Sequence, residues 1–133
     1  MSTISELGGV IAFLVILHCI GDWIFQWEWM AKNKTKLSMV RFLHCMLYCT
    51  PFIPFVLPEW IVFLFITHFI VDSYKPLYYF RKLTRDPRAK SLATFRESFT
   101  KPDGFFILVT YDQIFHVLLL VPVALWGMGP FPW

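Results

Sequence analysis

The chain has 133 residues, of which 57% are hydrophobic, 20% aromatic and only 16% charged. A water-soluble domain of this size cannot hide so much apolar surface, so the composition excludes an ordinary soluble fold and points to lipid as part of the solvent. The formal net charge of +3 is small, and no recognition motif accompanies it, so nucleic acid is not an expected partner.

Four apolar segments follow one another over about 7–30, 39–57, 60–77 and 105–126. Each is near the ~20 residues that a helix needs to span ~30 Å of hydrocarbon. The first segment follows Met-Ser-Thr-Ile-Ser-Glu, which lacks a basic n-region, so it is expected to stay as a span. Pro51 and Pro54 should loosen the end of the second segment. Pro58-Glu59 forms a tight turn into the third. The stretch Gly-Met-Gly-Pro-Phe-Pro-Trp at the end cannot continue the fourth helix.

All twelve basic residues fall in two stretches. Lys32, Lys34, Lys36 and Arg41 form the first. Lys75, Arg81, Lys82, Arg85, Arg88, Lys90, Arg96 and Lys101 form the second. Both lie on one side of a four-span topology. By the positive-inside rule that side is cytoplasmic, so both termini face out of an inner (plasma) membrane. Trp23, Trp27 and Trp29 fit an inner aromatic belt, and Trp60, Trp126 and Trp133 an outer one. In the basic loop 78–104, Leu92, Phe95 and Phe99 recur at helical spacing and predict a short interfacial amphipathic helix. Its basic charge suits topology and anionic lipid, with a funnel for an anionic substrate as the sharper reading. The expected fold is therefore an all-α integral membrane protein, one domain over 1–133, with four transmembrane helices as a bundle.

The ionisable residues inside these segments are patterned. His18/Asp22, His68/Asp72 and Asp112/His116 are each four residues apart, and His44 occupies the remaining segment. Residues at that spacing share a helix face. The order reverses in the last segment, where the helix direction also reverses, so all three Asp should lie nearer the cytoplasm and their His about 6 Å deeper. Charged groups within a membrane generally face a functional interior.

Carboxylates and imidazoles suit a divalent ion, zinc foremost, and seven such groups exceed one tetrahedral ion, so two or more ions are expected. The metal ligands are then His18, Asp22, His44, His68, Asp72, Asp112 and His116, with Asp22, Asp72 and Asp112 as catalytic carboxylates. Gln26 and Gln113 are candidate supporting donors. Asn33, Lys34 and Lys75 stand at the cytoplasmic mouth, where they could hold an anion or act as interfacial anchors. Polar glue between helices and a proton or ion path are the competing readings. Cys19, Cys45 and Cys49 are odd in number and apolar in context, which suits packing better than disulfides or thiolate ligation. Segments one and three also share a faint pattern, Leu-His-Cys-Ile-Gly-Asp against Thr-His-Phe-Ile-Val-Asp, hinting at a duplicated hairpin.

The pattern His18-x-x-x-Asp22-x-x-x-Gln26, Met30-Ala-Lys-Asn-Lys34, His44, His68-x-x-x-Asp72-x-x-Lys75-Pro76 and Asp112-Gln113-x-x-His116 resembles an uncharacterised family of small bacterial and phage membrane proteins, the domain of unknown function 3307 type. More distantly it is similar to membrane-bound metal-dependent hydrolases, and through them to the helical zinc-dependent phospholipase C and nuclease superfamily. That resemblance implies metal-dependent hydrolysis of a phosphoester on a lipid or lipid-linked substrate at a bilayer. The alternative is a non-enzymatic, homo-oligomeric membrane protein, such as a pore, transporter subunit or partner-binding module, whose His/Asp pairs are structural or carry protons.

Overall fold

The structure, a computed structural model, describes residues 4–87, 89–98 and 102–130. The described residues form helices joined by short turns, with no strand beyond a single isolated bridge. Helix α1 (Ile4–Cys19) continues into a π-helical turn, Ile20–Ile24. A short helix α2 (Glu28–Asn33) leads to α3 (Ser38–Cys49), which tightens into a 3₁₀ turn, Thr50–Phe52. Then come α4 (Pro58–Val71), α5 (Lys75–Leu83), α6 (Leu92–Ser98) and α7 (Pro102–Trp126).

Two helical stretches are long and apolar enough to cross a membrane, Ile4–Ile24 and Val109–Trp126. A third appears if α4 and α5 count as one span bent by 57°. Only 22% of each of the first two windows is buried inside the protein. Ile16, Leu43, Met46, Ile66, Ile70 and Leu118 stand exposed on the outer faces. The exterior is thus apolar and the interior holds the histidines and aspartates, the polarity that lipid as solvent requires.

The expected second and third segments are not single unbroken helices. Over 39–57 the chain is not one spanning helix. Pro51 lies in the 3₁₀ turn after Cys49, where its missing amide ends the regular α ladder. Over 60–77 the helix stops at Val71, because Pro76 has no N–H to offer the carbonyl of Asp72 and its ring would clash there. Tyr74 takes the left-handed conformation at φ 58° to turn the chain, and Ser73 Oγ accepts from the Lys75 amide. By contrast α7 runs straight through Pro122, which membrane helices tolerate.

The turn after α3 is stitched to the segment after α7. Leu57 N–H donates to Gly127 O and Gly129 N–H to Phe55 O, each at 2.8 Å. Trp60 stacks near Trp126 at this same end. Leu14, Leu17, Phe52, Leu64, Leu120 and Val123 form the main core on the near side of the polar centre. The amphipathic helix expected from Leu92 and Phe95 is present as α6, but Phe95 is fully buried against Leu77 and Tyr78 of α5. It packs on protein rather than lying free on a bilayer. Phe99 and Trp133 lie outside the described residues.

Gly21 sets the approach of α1 to α3: a Cβ there would sit 2.6 Å from the Tyr48 carbonyl oxygen. Backbone cannot swing aside as a side-chain tip can. Gly21→Ala is therefore expected to destabilise the protein by about 1–3 kcal/mol, as overpacking does. A thermal melt in detergent, compared with Gly8→Ala, where nothing lies within 4 Å, checks this.

Candidate metal centre

Five segments converge on one buried cluster. The end of α1 and its π turn bring His18 and Asp22, and the α2–α3 turn brings Lys34. Helix α3 supplies His44 and Tyr48, α4 supplies His68 with Asp72 at its C-cap, and α7 supplies Asp112, Gln113 and His116. Asp72 and His44 are completely inaccessible, and Asp22, His18, His68, His116, Asp112 and Lys34 are all buried. Isolated charges so placed would cost several kcal/mol each, so their partners decide what the cluster is.

One half of the cluster is saturated. Gln113 Nε2 donates to Asp22 Oδ2 at 2.9 Å, which turns its carbonyl oxygen toward His18 Nε2 at 2.8 Å. His18 therefore carries its proton on Nε2, and its Nδ1 accepts from the Tyr48 hydroxyl at 3.2 Å. Both ring nitrogens of His18 are thus engaged, and it stands one hydrogen bond back from the centre. Its separation from Asp22 Oδ2 is 4.0 Å.

Lys34 occupies the middle. Its ammonium donates to Asp22 Oδ1 and to His44 Nε2, both at 3.3 Å. It also lies 3.1 Å from Asp72 Oδ1, an ion pair whose angle is wrong for a hydrogen bond. Lys34 sits in a turn outside the membrane-length helices. Burial alone would favour its neutral amine, but the carboxylates of Asp72, Asp22 and Asp112 outweigh that and hold its pKa above the ordinary lysine value. Arg41 fixes the turn, with Nε donating to Lys34 O at 2.9 Å and Nη2 to Thr35 O at 3.0 Å, while its guanidinium covers the Phe69 ring.

The other half is not saturated. Both oxygens of Asp72, Oδ1 of Asp112 and Nε2 of His116 are buried without a hydrogen-bond partner. His116 Nδ1–H donates to Asp112 O at 2.8 Å, which leaves the Nε2 lone pair free, 3.7 Å from Asp72 Oδ1. Ligand atoms of Asp72, Asp112 and His116 lie within 4.8 Å of one another, as do those of Asp22, His44 and His68, and those of Cys45, His68 and Asp72. These buried groups could hold a metal ion.

The Asp and His layers expected from helix direction are folded into a single knot. His44 Nε2 is 3.1 Å from Asp22 Oδ1, 3.1 Å from His68 Nε2 and 3.3 Å from Asp72 Oδ2. Contacts between helices are therefore as short as the His68–Asp72 contact within α4, at 3.4 Å. Gln26 lies one turn beyond Asp22 with Oε1 buried and unpartnered. Asn33 is spent on the Trp29 carbonyl at 2.8 Å, and Lys75 is exposed; neither reaches the cluster. Lys34, expected at the mouth, lies inside. Tyr48 was missed by the sequence reading, although it falls four residues after His44, the same spacing that marked the pairs; Cys45 was weighed as a ligand there and read as packing.

This is an all-helical protein with membrane-length helices gathered around a polar, potentially metal-holding centre. The chain belongs to the family described as protein of unknown function (DUF3307), whose model matches residues 10–130. No curated protein and no solved structure matches it.

Tyr48→Phe keeps the ring that stacks on His68 at 3.7 Å but leaves His18 Nδ1 unpaired. It should lower stability by about 1–3 kcal/mol, the cost of a buried unsatisfied acceptor. Chemical unfolding in detergent measures this; an unchanged midpoint would mean the Tyr48–His18 bond is not made.

Proposed function

We propose that the protein is a membrane-embedded, metal-dependent hydrolase of a phosphoester on a lipid or lipid-linked substrate. One observation carries this reading. Asp72, Asp112 Oδ1 and His116 Nε2 converge with buried ligating atoms that make no hydrogen bond, Asp72 meeting only the ion pair with Lys34 and the nearby imidazoles, while the neighbouring His18–Gln113–Asp22 chain is fully bonded. Helix glue accounts for the saturated half, since polar side chains across membrane helices normally find partners. It gives no account of the unsaturated half, where each open buried group costs about 1–3 kcal/mol.

A divalent ion held there supplies Lewis acidity and a water of lowered pKa. Zinc suits a donor set of imidazole and carboxylate, and the Cys45 thiol groups with Asp72 through His68. Asp72, Asp112 and His116 would hold the ion. The Asp112 carboxylate would take the proton that the attacking water loses and return it to the leaving oxygen as the ester P–O bond breaks. Asp22 is oriented by Gln113 and His18. Arg96, which donates to Ser73 O at 3.0 Å beside Asp72, and Arg41 make the rim positive toward an anionic substrate.

The proposed setting is an inner membrane with the basic segments on the cytoplasmic side. The chain crosses four times, α3 and its 3₁₀ turn making the short crossing between the α2 turn and the stitch at Gly127.

Protein purified in detergent without chelator should contain stoichiometric metal by elemental analysis, and Asp112→Asn or Asp72→Asn should remove at least ~90% of it, as loss of a charged ligand does. In the same preparations, hydrolysis of phosphate-ester lipids should fall with the metal and return when zinc or manganese is restored. Wild-type protein without metal would end this reading and leave helix glue or a proton path. Cobalt-substituted protein should show a near-ultraviolet thiolate charge-transfer band if Cys45 joins the ligands, and Cys45→Ser should abolish it.

A further inference from the structure

We infer that Lys34 is a built-in second cation, so that the centre is one metal ion plus one lysine rather than a pair of metal ions. The inference rests on the metal reading above and refines it.

Three observations carry it. The first is position. The ligand set Asp22, His44 and His68 would suit a second ion, yet the Lys34 ammonium already touches Asp22 Oδ1 and His44 Nε2 at 3.3 Å and Asp72 Oδ1 at 3.1 Å. Asp72 Oδ1 thereby lies 3.1 Å from the ammonium and 3.7 Å from the open His116 Nε2, the place of an oxygen shared between two cations.

The second is charge. The charged groups that meet in the cluster, three buried carboxylates and one buried ammonium, leave two negative charges among themselves when the imidazoles are neutral, the buried Arg41 guanidinium being turned to backbone carbonyls beside it. One divalent ion cancels them in a low-dielectric interior; two ions would leave an excess of positive charge beside the fixed ammonium.

The third is rigidity. Lys34 is not a free surface arm that has folded inward. Its amide donates to Met30 O at 2.8 Å, its carbonyl and that of Thr35 are gripped by Arg41, and Arg41 is itself buried over Phe69. An ammonium paired in this way with two carboxylates and an imidazole is not an open hook for a substrate anion. It does what the second metal of a two-metal site does, holding the carboxylates apart and meeting negative charge that develops on the reacting group. Arg41 is a positioning residue for it.

The test is metal stoichiometry on the full chain in detergent, with zinc or manganese alone as the probe. Wild type should bind one ion per chain. Lys34→Gln vacates the second position and should double the ratio to two, while Lys34→Arg should keep it at one. A ratio of two in wild type, or of one in Lys34→Gln, overturns the lysine assignment and leaves the metal reading standing. A ratio of zero in wild type overturns both. A measurement on wild type alone covers the case in which Lys34→Gln does not fold. Acylation of amines, read by mass spectrometry, should modify exposed Lys32 and spare Lys34 with and without metal. Lys34 labelling that rises on metal loading would mean that the ion displaces the lysine, and the assignment fails.

Discussion

Three aspartates are held inside a bundle whose outer faces are hydrocarbon-like, and everything else in the structure answers to that constraint. A carboxylate removed from water needs a cation, hydrogen bonds or a proton. Asp22 receives hydrogen bonds from Gln113 and Lys34. Asp72 and Asp112 receive far less, and their open oxygens face the same small volume as His116 Nε2. The contrast between a satisfied and an unsatisfied carboxylate, a few ångströms apart, is what separates a ligand site from helix glue.

The backbone around these carboxylates is irregular in a consistent way. Asp22 lies in the π turn that ends α1, and Asp72 lies at the C-cap where α4 stops before Pro76. In each case a short helix follows, α2 or α5, the latter bent by 57° from α4. π turns recur at functional sites because the widened ladder re-aims a side chain. The two matching sequence fragments, Leu-His-Cys-Ile-Gly-Asp and Thr-His-Phe-Ile-Val-Asp, therefore correspond to a shared local event: the regular α-helix gives out just before its aspartate.

Much of the centre was legible from spacing alone. The i, i+4 pairs place His and Asp on one face of each helix, so residues far apart in sequence could be assigned to one site. What spacing could not give was the side chain that arrives from a turn. Lys34 looked like an interfacial lysine because its neighbours Lys32 and Lys36 are; only the Arg41 grip on two carbonyls drives it inward. Tyr48 drew no notice because a hydroxyl four residues from a histidine is invisible to hydropathy. The apolar lengths also overstated the helices. Hydropathy counts residues and does not see that Pro51 and Pro76 end the α ladder while Pro122 does not.

The cluster draws on five segments spread from α1 to α7, and this bears on how the protein is made. Gln113, Asp112 and His116 belong to the last helix, so during synthesis Asp22 and Asp72 are made before Gln113 and the rest of the α7 ligands exist. Until α7 arrives, Asp22 lacks its Gln113 donor, and Lys34 is the cation at hand for both earlier carboxylates. Its place in the chain, between the first two aspartate- and histidine-bearing helices, makes it a nascent-chain counter-ion. The last helix then acts as the keystone of assembly: its docking pairs Asp22 and completes the open corner in a single event.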